Sequence, residues 1–253
     1  ENNVTGTKNL IELSYKYNVK NFLMISTDKA VKPTSIMGST KRISEILLNG
    51  MNNLIRSKNL NNNFYTVRFG NVYGSNGSVI PLFYEQIKNF KKVTVTHKDV
   101  TRYFMTIKEA VILVLESALL KSKSNLFVLD MGQPIKILDL AKKIINLSGY
   151  SYKYNDNDKG DILIEFIGLK KGEKLHEELS YNKELSSTSN EYINSDTDLE
   201  IAWDDALIHY TNLRDMFLKN QKEKIFNYLE KINYSRWIYI SIHILYLIVM
   251  GLF

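Results

Sequence analysis

The sequence predicts an α/β protein built on a largely parallel sheet. Three observations carry the prediction. Short apolar runs at 21–26, 64–69, 93–96 and 126–130 alternate with stretches whose apolar residues recur every three or four positions. The intervening stretches are long enough for crossover helices. The first run, Asn21–Ser26, is nearly all apolar, as suits a strand covered on both faces.

Taken in order, residues 4–17 place Leu10, Ile11 and Leu13 on a helix face, with Thr5 or Thr7 near a cap position. The strand at Asn21–Ser26 leads into a polar loop, Ser26–Gly38, where Pro33 disfavours helix in the residue before it. Residues 37–58 are helical, with Ile43, Ile46, Leu47, Gly50 and Leu54 at helical spacing. A strand at 64–69 ends in a glycine-bearing loop, Gly70–Gly77. Helix at 79–90, strand at 93–96 and helix at 107–120 follow, the last with Val111, Val114, Leu115 and Ala118 on one stripe. A strand at 126–130 and a helix at 137–147 complete the alternation. After Gly149 the composition shifts toward Asn, Asp, Lys and Tyr, with a strand at 162–167 and a helix near Glu173–Leu179. Residues 180–198 read as polar and loop-rich, and one long charged helix spans about Asp204 to Lys231.

The 253 residues include 33 Lys and Arg against 27 Asp and Glu, a formal net charge of +6. The basic residues are spread along the chain rather than clustered, so nucleic acid is not the expected partner. No cysteine is present, which excludes disulfides and thiolate metal sites. His97, His176, His209 and His243 show no ligand spacing, and no metal is expected. Trp237–Phe253 carries no formal charge and follows Lys231 and Arg236. Its seventeen residues are just long enough to span a bilayer, which takes roughly 17–25, and the preceding cations would hold its N-terminal side in the cytoplasm. Equally, the apolarity of the tail can be accidental to a truncated or out-of-frame end.

Active sites of α/β folds lie at the C-terminal ends of parallel strands, which directs attention to 26–38 and 70–77. The first loop sets Asp28 beside Lys29, a carboxyl and an amine able to divide acid and base duties when the amine is desolvated. On spacing alone, such a pair is more often a solvated loop. The longer string Ser26–Arg42 closely resembles the signature of bacterial sugar-nucleotide 4,6-dehydratases. These form the CapD-like polysaccharide biosynthesis branch of the extended short-chain dehydrogenase/reductase superfamily. Val67–Pro81, Val95–Thr106, Phe127–Gly132 and Gly168–Leu179 resemble four further blocks of that family in the same order, so the likeness covers residues 3–200.

The resemblance implies a Rossmann-like doubly wound domain, of which this chain is the C-terminal part, with a smaller α/β substrate domain. Residues 1–72 and 105–132 would be the remainder of the dinucleotide-binding domain, and 73–104 and 133–200 the nucleotide-sugar domain. Residues 201–235 would be a helical extension and 236–253 a hydrophobic tail. Such enzymes hold NAD or NADP, oxidise the sugar C4 hydroxyl, remove the acidified C5 proton, expel water across C5–C6 and return hydride to C6. By this likeness Lys29 is the C5 base, Asp28 the acid for the departing C6 hydroxyl, and Thr27 a hydrogen-bonding partner near the C4 oxygen. Lys41 corresponds to the lysine of the Tyr-x-x-x-Lys motif and grips the nicotinamide ribose, with Ser26 and Phe69 also assigned to the cofactor. Asn71 falls near the diphosphate, Val79 and Pro81 beside the base, and Arg102 on a phosphate. Lys170 and Lys171 stand where the family usually has Arg-Pro, and Glu173 is a candidate for a ribose hydroxyl. His176 is expected to face solvent. The implied partners are a UDP-sugar, no nucleic acid and, when the chain is complete, further copies of itself. The implied location is the cytoplasm, at the cytoplasmic face of the inner membrane if the tail is a span.

Two departures stand out. Met37 occupies the position of the motif's tyrosine, so Asp28, Thr27 or an ordered water would take the C4 hydroxyl proton; alternatively Met37 simply faces the core. No Gly-x-Gly-x-x-Gly occurs anywhere, and the chain opens on Glu1. The expectation is a chain that lacks the first strands and phosphate loop, exposes an apolar edge at 21–26, and is inactive by itself. A same-fold epimerase, or a remnant without activity, are the rival readings.

Overall fold

The computed structural model describes residues 1–75, 77–120, 124–182, 184–197 and 200–234. The expected tail at 236–253 lies outside these. Five strands form the main sheet: β1 (Asn21–Thr27), β2 (Asn63–Phe69), β7 (Leu126–Leu129), β12 (Ile193–Asp196) and β11 (Ser186–Ser187), in that spatial order. The pairs β1–β2 and β2–β7 are parallel, while β12 runs antiparallel to β7 and β11 to β12. A second sheet joins β4 (Lys92–Val95), β10 (Ile162–Phe166) and β9 (Tyr152–Lys153), all parallel. Two short ladders tie the sheets' loops together: β3 (Asn71–Val72) with β6 (Phe104–Met105), and β5 (Thr101–Arg102) with β8 (Ile135–Lys136).

Helix α1 (Thr7–Lys16), entered through a single π turn at Asn2–Gly6, precedes β1, and α2 (Ile36–Ser57) is the crossover to β2. Ser35 caps α2, its hydroxyl accepting the Gly38 amide at 3.2 Å. The buried face of α2, with Ile43, Leu47 and Met51, packs with Ile11, Met24 and Phe64 in one core. Helix α3 (Val79–Phe90) and α5 (Ile137–Leu147) cover the second sheet, burying Phe83, Ile87, Ile144 and Ile145 against Val93 and Ile162. The other face of the main sheet packs under α4 (Ile107–Ser117), which opens with a reciprocal cap between Thr106 and Glu109.

Four expectations are corrected. The long charged helix is two, α6 (Trp203–Leu218) and α7 (Lys222–Tyr234), broken where Asn220 takes a left-handed φ of 52°. Their apolar residues Ala206, Tyr210, Leu229 and Ile232 join the α2 core, so they bend back over it. The segment 180–198 is not all loop, because Ile193 is fully buried and pairs with Leu129 in the main sheet. No helix forms at 173–179. That strap is irregular, held in place because Leu175 accepts the Thr101 amide and the Glu173 carboxylate ties down three neighbours. On α4, which is apolar nearly all round, Ala110, Leu113, Val114 and Ser117 face the sheet, while Val111 and Leu115 are exposed. Periodicity cannot choose a face on such a helix. Among the described residues, no helix is long and apolar enough to cross a membrane.

Candidate active site

The loops at 26–38 and 70–77 meet because β1 and β2 are adjacent parallel strands with Thr27 opposite Phe69. Beyond β1 the chain makes one 3-10 turn, Asp28–Ala30. The Thr27 hydroxyl donates to Asp28 Oδ1 at 2.8 Å, and Lys29 Nζ donates to the same oxygen at 3.0 Å. From the second loop, Asn71 Oδ1 accepts a further bond from Lys29 Nζ at 3.1 Å. Asp28 is fully buried, and its other oxygen, Oδ2, has no hydrogen-bond partner. Two glycines make room here. A Cβ on Gly38 would sit 2.1 Å from the Lys29 carbonyl oxygen, and one on Gly70 would sit 3.3 Å from Asp28 Oδ2. The turn is therefore packed from beneath by backbone.

Lys29 opens into a cavity of about 730 Å³ between the two sheets. Asn71 and Val79 line it, and so do Arg102, Lys170, Lys171 and Glu173 from the second sheet's loops. Arg102 is buried, donates to the Thr101 and Leu175 carbonyls and pairs with Glu173 at 3.0 Å. Glu173 also accepts from the Thr96 hydroxyl and the Lys170 amide, so its carboxylate is engaged in holding the strap. His176 is exposed, beside the Thr101 hydroxyl.

Other nominated residues lie elsewhere. Pro81 is exposed in the first turn of α3 and does not line the cavity. Phe69 is nearly buried in the core under α4. Ser26 points inward, donating to Glu45 Oε1 at 2.6 Å. Lys41, partly exposed on α2, donates to the Ile25 carbonyl on β1 at 3.2 Å. Met37, one helical turn earlier, is exposed rather than packed into the core.

Two features were missed from sequence. One is a buried ionic network beneath the turn. Glu45 accepts two bonds from Arg68, at 2.8 and 2.6 Å, and one from Arg42 at 3.0 Å. Arg68 reaches on to Asp196 at 3.5 Å, and Ser180 donates to Asp196. Charges set among Ile43, Ile46, Val67 and Phe69, on apolar faces, were the available signal. The other is the pair Lys174 and Glu177, inside the Gly168–Leu179 block. Lys174 Nζ donates to the Val31 carbonyl at 2.6 Å and stands 3.8 Å from Glu177 Oε2, which accepts no hydrogen bond.

Burial pushes the Lys174 pKa down. Burial, and then the charge of Asp28, pushes the Glu177 carboxyl up; Lys29, Lys174 and Arg102 oppose this. The folded chain thus holds a proton on Glu177 more tightly than the unfolded chain. Stability falls as pH rises from the ordinary carboxylate pKa through the raised one. Glu177→Gln removes that fall. The variant should melt above the wild type at neutral pH and converge with it in acid; parallel melting curves at every pH would contradict the assignment.

A family model described as polysaccharide biosynthesis protein matches residues 1–195. The capsular polysaccharide biosynthesis protein CapD of Staphylococcus aureus is 51% identical over 184 residues, 73% of this chain and 29% of that protein. A UDP-glucose 4-epimerase of Rickettsia canadensis is 34% identical over 185 residues, 73% of this chain and 50% of that one. The UDP-N-acetylglucosamine 4,6-dehydratase (inverting) of Campylobacter jejuni is 32% identical over 177 residues, 69% and 48% of the two chains. The solved structure of Pen from Bacillus thuringiensis superposes with a TM-score of 0.61 at 38% identity, covering 70% of this chain and 51% of that one. The matched segment is thus less than a third of CapD and about half of each other protein. By sequence and by fold, the chain belongs to the polysaccharide biosynthesis protein family of CapD-like sugar-nucleotide dehydratases and epimerases.

Proposed function

We propose that the intact protein carries out the 4,6-dehydration of a UDP-N-acetylhexosamine for surface polysaccharide synthesis. The observation that carries this reading is the Thr27-Asp28-Lys29 turn, where the Lys29 amine lines one large cavity and is hydrogen-bonded to the fully buried Asp28 carboxyl behind it. An epimerase acting at C4 alone has no need of a base for C5 or an acid for a C6 hydroxyl. In this reading Lys29, in its amine form, takes the C5 proton. A carboxylic acid at the turn, the role the family likeness gives Asp28, protonates the departing C6 hydroxyl. Asn71 orients Lys29, and Arg102, Lys170 and Lys171 bring positive charge to the diphosphate.

Residues of this chain would meet part of the nicotinamide cofactor that the family uses. Lys41, on α2, sets its Nζ beside the C-terminal part of β1, able to bond a ribose hydroxyl. The pyrophosphate grip is not among these 253 residues, which contain no Gly-x-Gly-x-x-Gly. Bound there, NAD or NADP would supply hydride removal from C4 and its return to C6. Incubation of the intact protein with UDP-N-acetylglucosamine is expected to yield a 4-keto-6-deoxy product lighter by one water. A product of unchanged mass with inverted C4 would sink the dehydratase reading in favour of an epimerase.

A further inference from the structure

Two carboxylate oxygens in this site are buried without a hydrogen-bond partner, Asp28 Oδ2 and Glu177 Oε2. Ionised carboxylates in such surroundings are expensive unless each oxygen is paired, and two near one another are more so. A carboxyl that keeps its proton escapes this penalty. The two groups are held differently. Asp28 has Oδ1 doubly bonded, to the Thr27 hydroxyl and to Lys29 Nζ, as suits a carboxylate. Glu177 has a side chain only 5% exposed, lies on the cavity wall and has no cation within hydrogen-bond distance of Oε2; Lys174 stands at 3.8 Å. The charged groups facing Glu177 are Lys174 on its own strap, Asp28 and Lys29 from the turn, and Arg102 from β5. Pairs of carboxyls in unlike surroundings commonly divide acid and base roles.

We propose that Asp28 and Glu177 work as a two-carboxyl unit holding one proton, with Glu177 as the acid for the departing C6 hydroxyl and Asp28 as the base for the C4 hydroxyl. The inference rests on the dehydratase reading above and refines its assignment of the acid. It also supplies what Met37 cannot, an acceptor for the C4 hydroxyl proton. In the resting site Glu177 is a carboxylic acid and Asp28 a carboxylate. As C4 is oxidised, its hydroxyl proton passes to Asp28, next to Thr27. Lys29 then takes the C5 proton, the C5–H electron pair becomes the C5–C6 double bond, and the C6–O bond breaks. The departing oxygen takes the Glu177 proton and leaves as water. Lys29 gives its proton back to C5 as hydride returns to C6, and the proton on Asp28 passes back to Glu177, so the amine and the carboxyl unit both end as they began. The resting state matches the upward push on the Glu177 carboxyl.

The test compares Glu177→Gln with wild type in the intact, cofactor-loaded protein in deuterated solvent. Elimination should slow by ~10²–10⁴-fold with KM unchanged, while C5 exchange persists, because base and ketone are still formed. Asp28→Asn should stop C5 exchange as well. Product formation by Glu177→Gln within about threefold of wild type would overturn the proposal, since a lost acid has a larger effect. A second measurement is independent of turnover. The carboxyl carbon signal of Glu177, followed by NMR in the full chain, should titrate above the ordinary glutamate range and move down in Asp28→Asn. Titration at the ordinary position, indifferent to Asp28, would equally overturn it. Failure of the dehydratase reading shows separately, as a wild type that makes no dehydrated product before any variant is compared.

Discussion

Lys29→Met is expected to abolish both product formation and exchange of the sugar C5 proton, each by ~10²–10⁴-fold. Methionine nearly matches the length of lysine and keeps its apolar stem, so packing of the turn should survive. What disappears is the one amine bonded to both the Asp28 carboxylate and the Asn71 amide. Those two acceptors fix Nζ in space, and its partly exposed side chain opens to the cavity where substrate would lie. Lys29→Arg separates base from charge. Arginine keeps the cation but does not release its proton in proteins, so it should be as inactive as methionine. An arginine variant with substantial turnover would mean that Lys29 acts only as a countercharge. Retention of C5 exchange in Lys29→Met, measured by NMR, would remove Lys29 from the base role.

Glu45→Ala is expected to destabilise the protein by about 3–5 kcal/mol, the usual loss when one partner of a buried ion pair is removed. Glu45 is 1% exposed on α2, and its two oxygens take bonds from Arg68 on β2, Arg42 on its own helix and Ser26 on β1. Arg68 is fully buried. Without Glu45, Arg68 loses both of its short carboxylate bonds and Arg42 loses one, leaving buried guanidinium charge less well compensated. Because Ser26 directly precedes the Thr27-Asp28-Lys29 turn, the turn should loosen with the network. Urea unfolding followed by circular dichroism measures the loss. A change below about 1 kcal/mol would place the network with surface pairs, whose effect is small.

Much of this architecture was legible from periodicity, and the reasons differ by element. Asn21–Thr27 and Leu126–Leu129 are strands with nearly continuous apolar runs, and α2 and α5 show an apolar face at helical spacing. Such signals arise within one element and need no neighbour. The strap at 173–179 was misread as helix because its conformation is set from outside, by the bond between Leu175 and Thr101 and by the side chain of Glu173. Ile193–Asp196 was missed because one apolar residue among polar ones gives no period, although Ile193 pairs across to β7. Within the site, Thr27, Asp28 and Lys29 are consecutive and visible as a motif. The bond from Lys29 to Asn71 spans 42 positions and exists only because β1 and β2 are neighbours. Glu177 looked like one more charge in a polar block; its burial against the turn is a property of the fold.

The central claim is that this site removes a C5 proton and expels the C6 hydroxyl of a UDP-sugar. One NMR measurement addresses both parts: the intact protein, UDP-N-acetylglucosamine and deuterated solvent, with the product read at C5 and C6. The account predicts a methyl group at C6, a ketone at C4 and deuterium at C5 introduced through Lys29. A product that keeps its C6 hydroxyl and its original C5 proton, with only the C4 configuration changed, would contradict it.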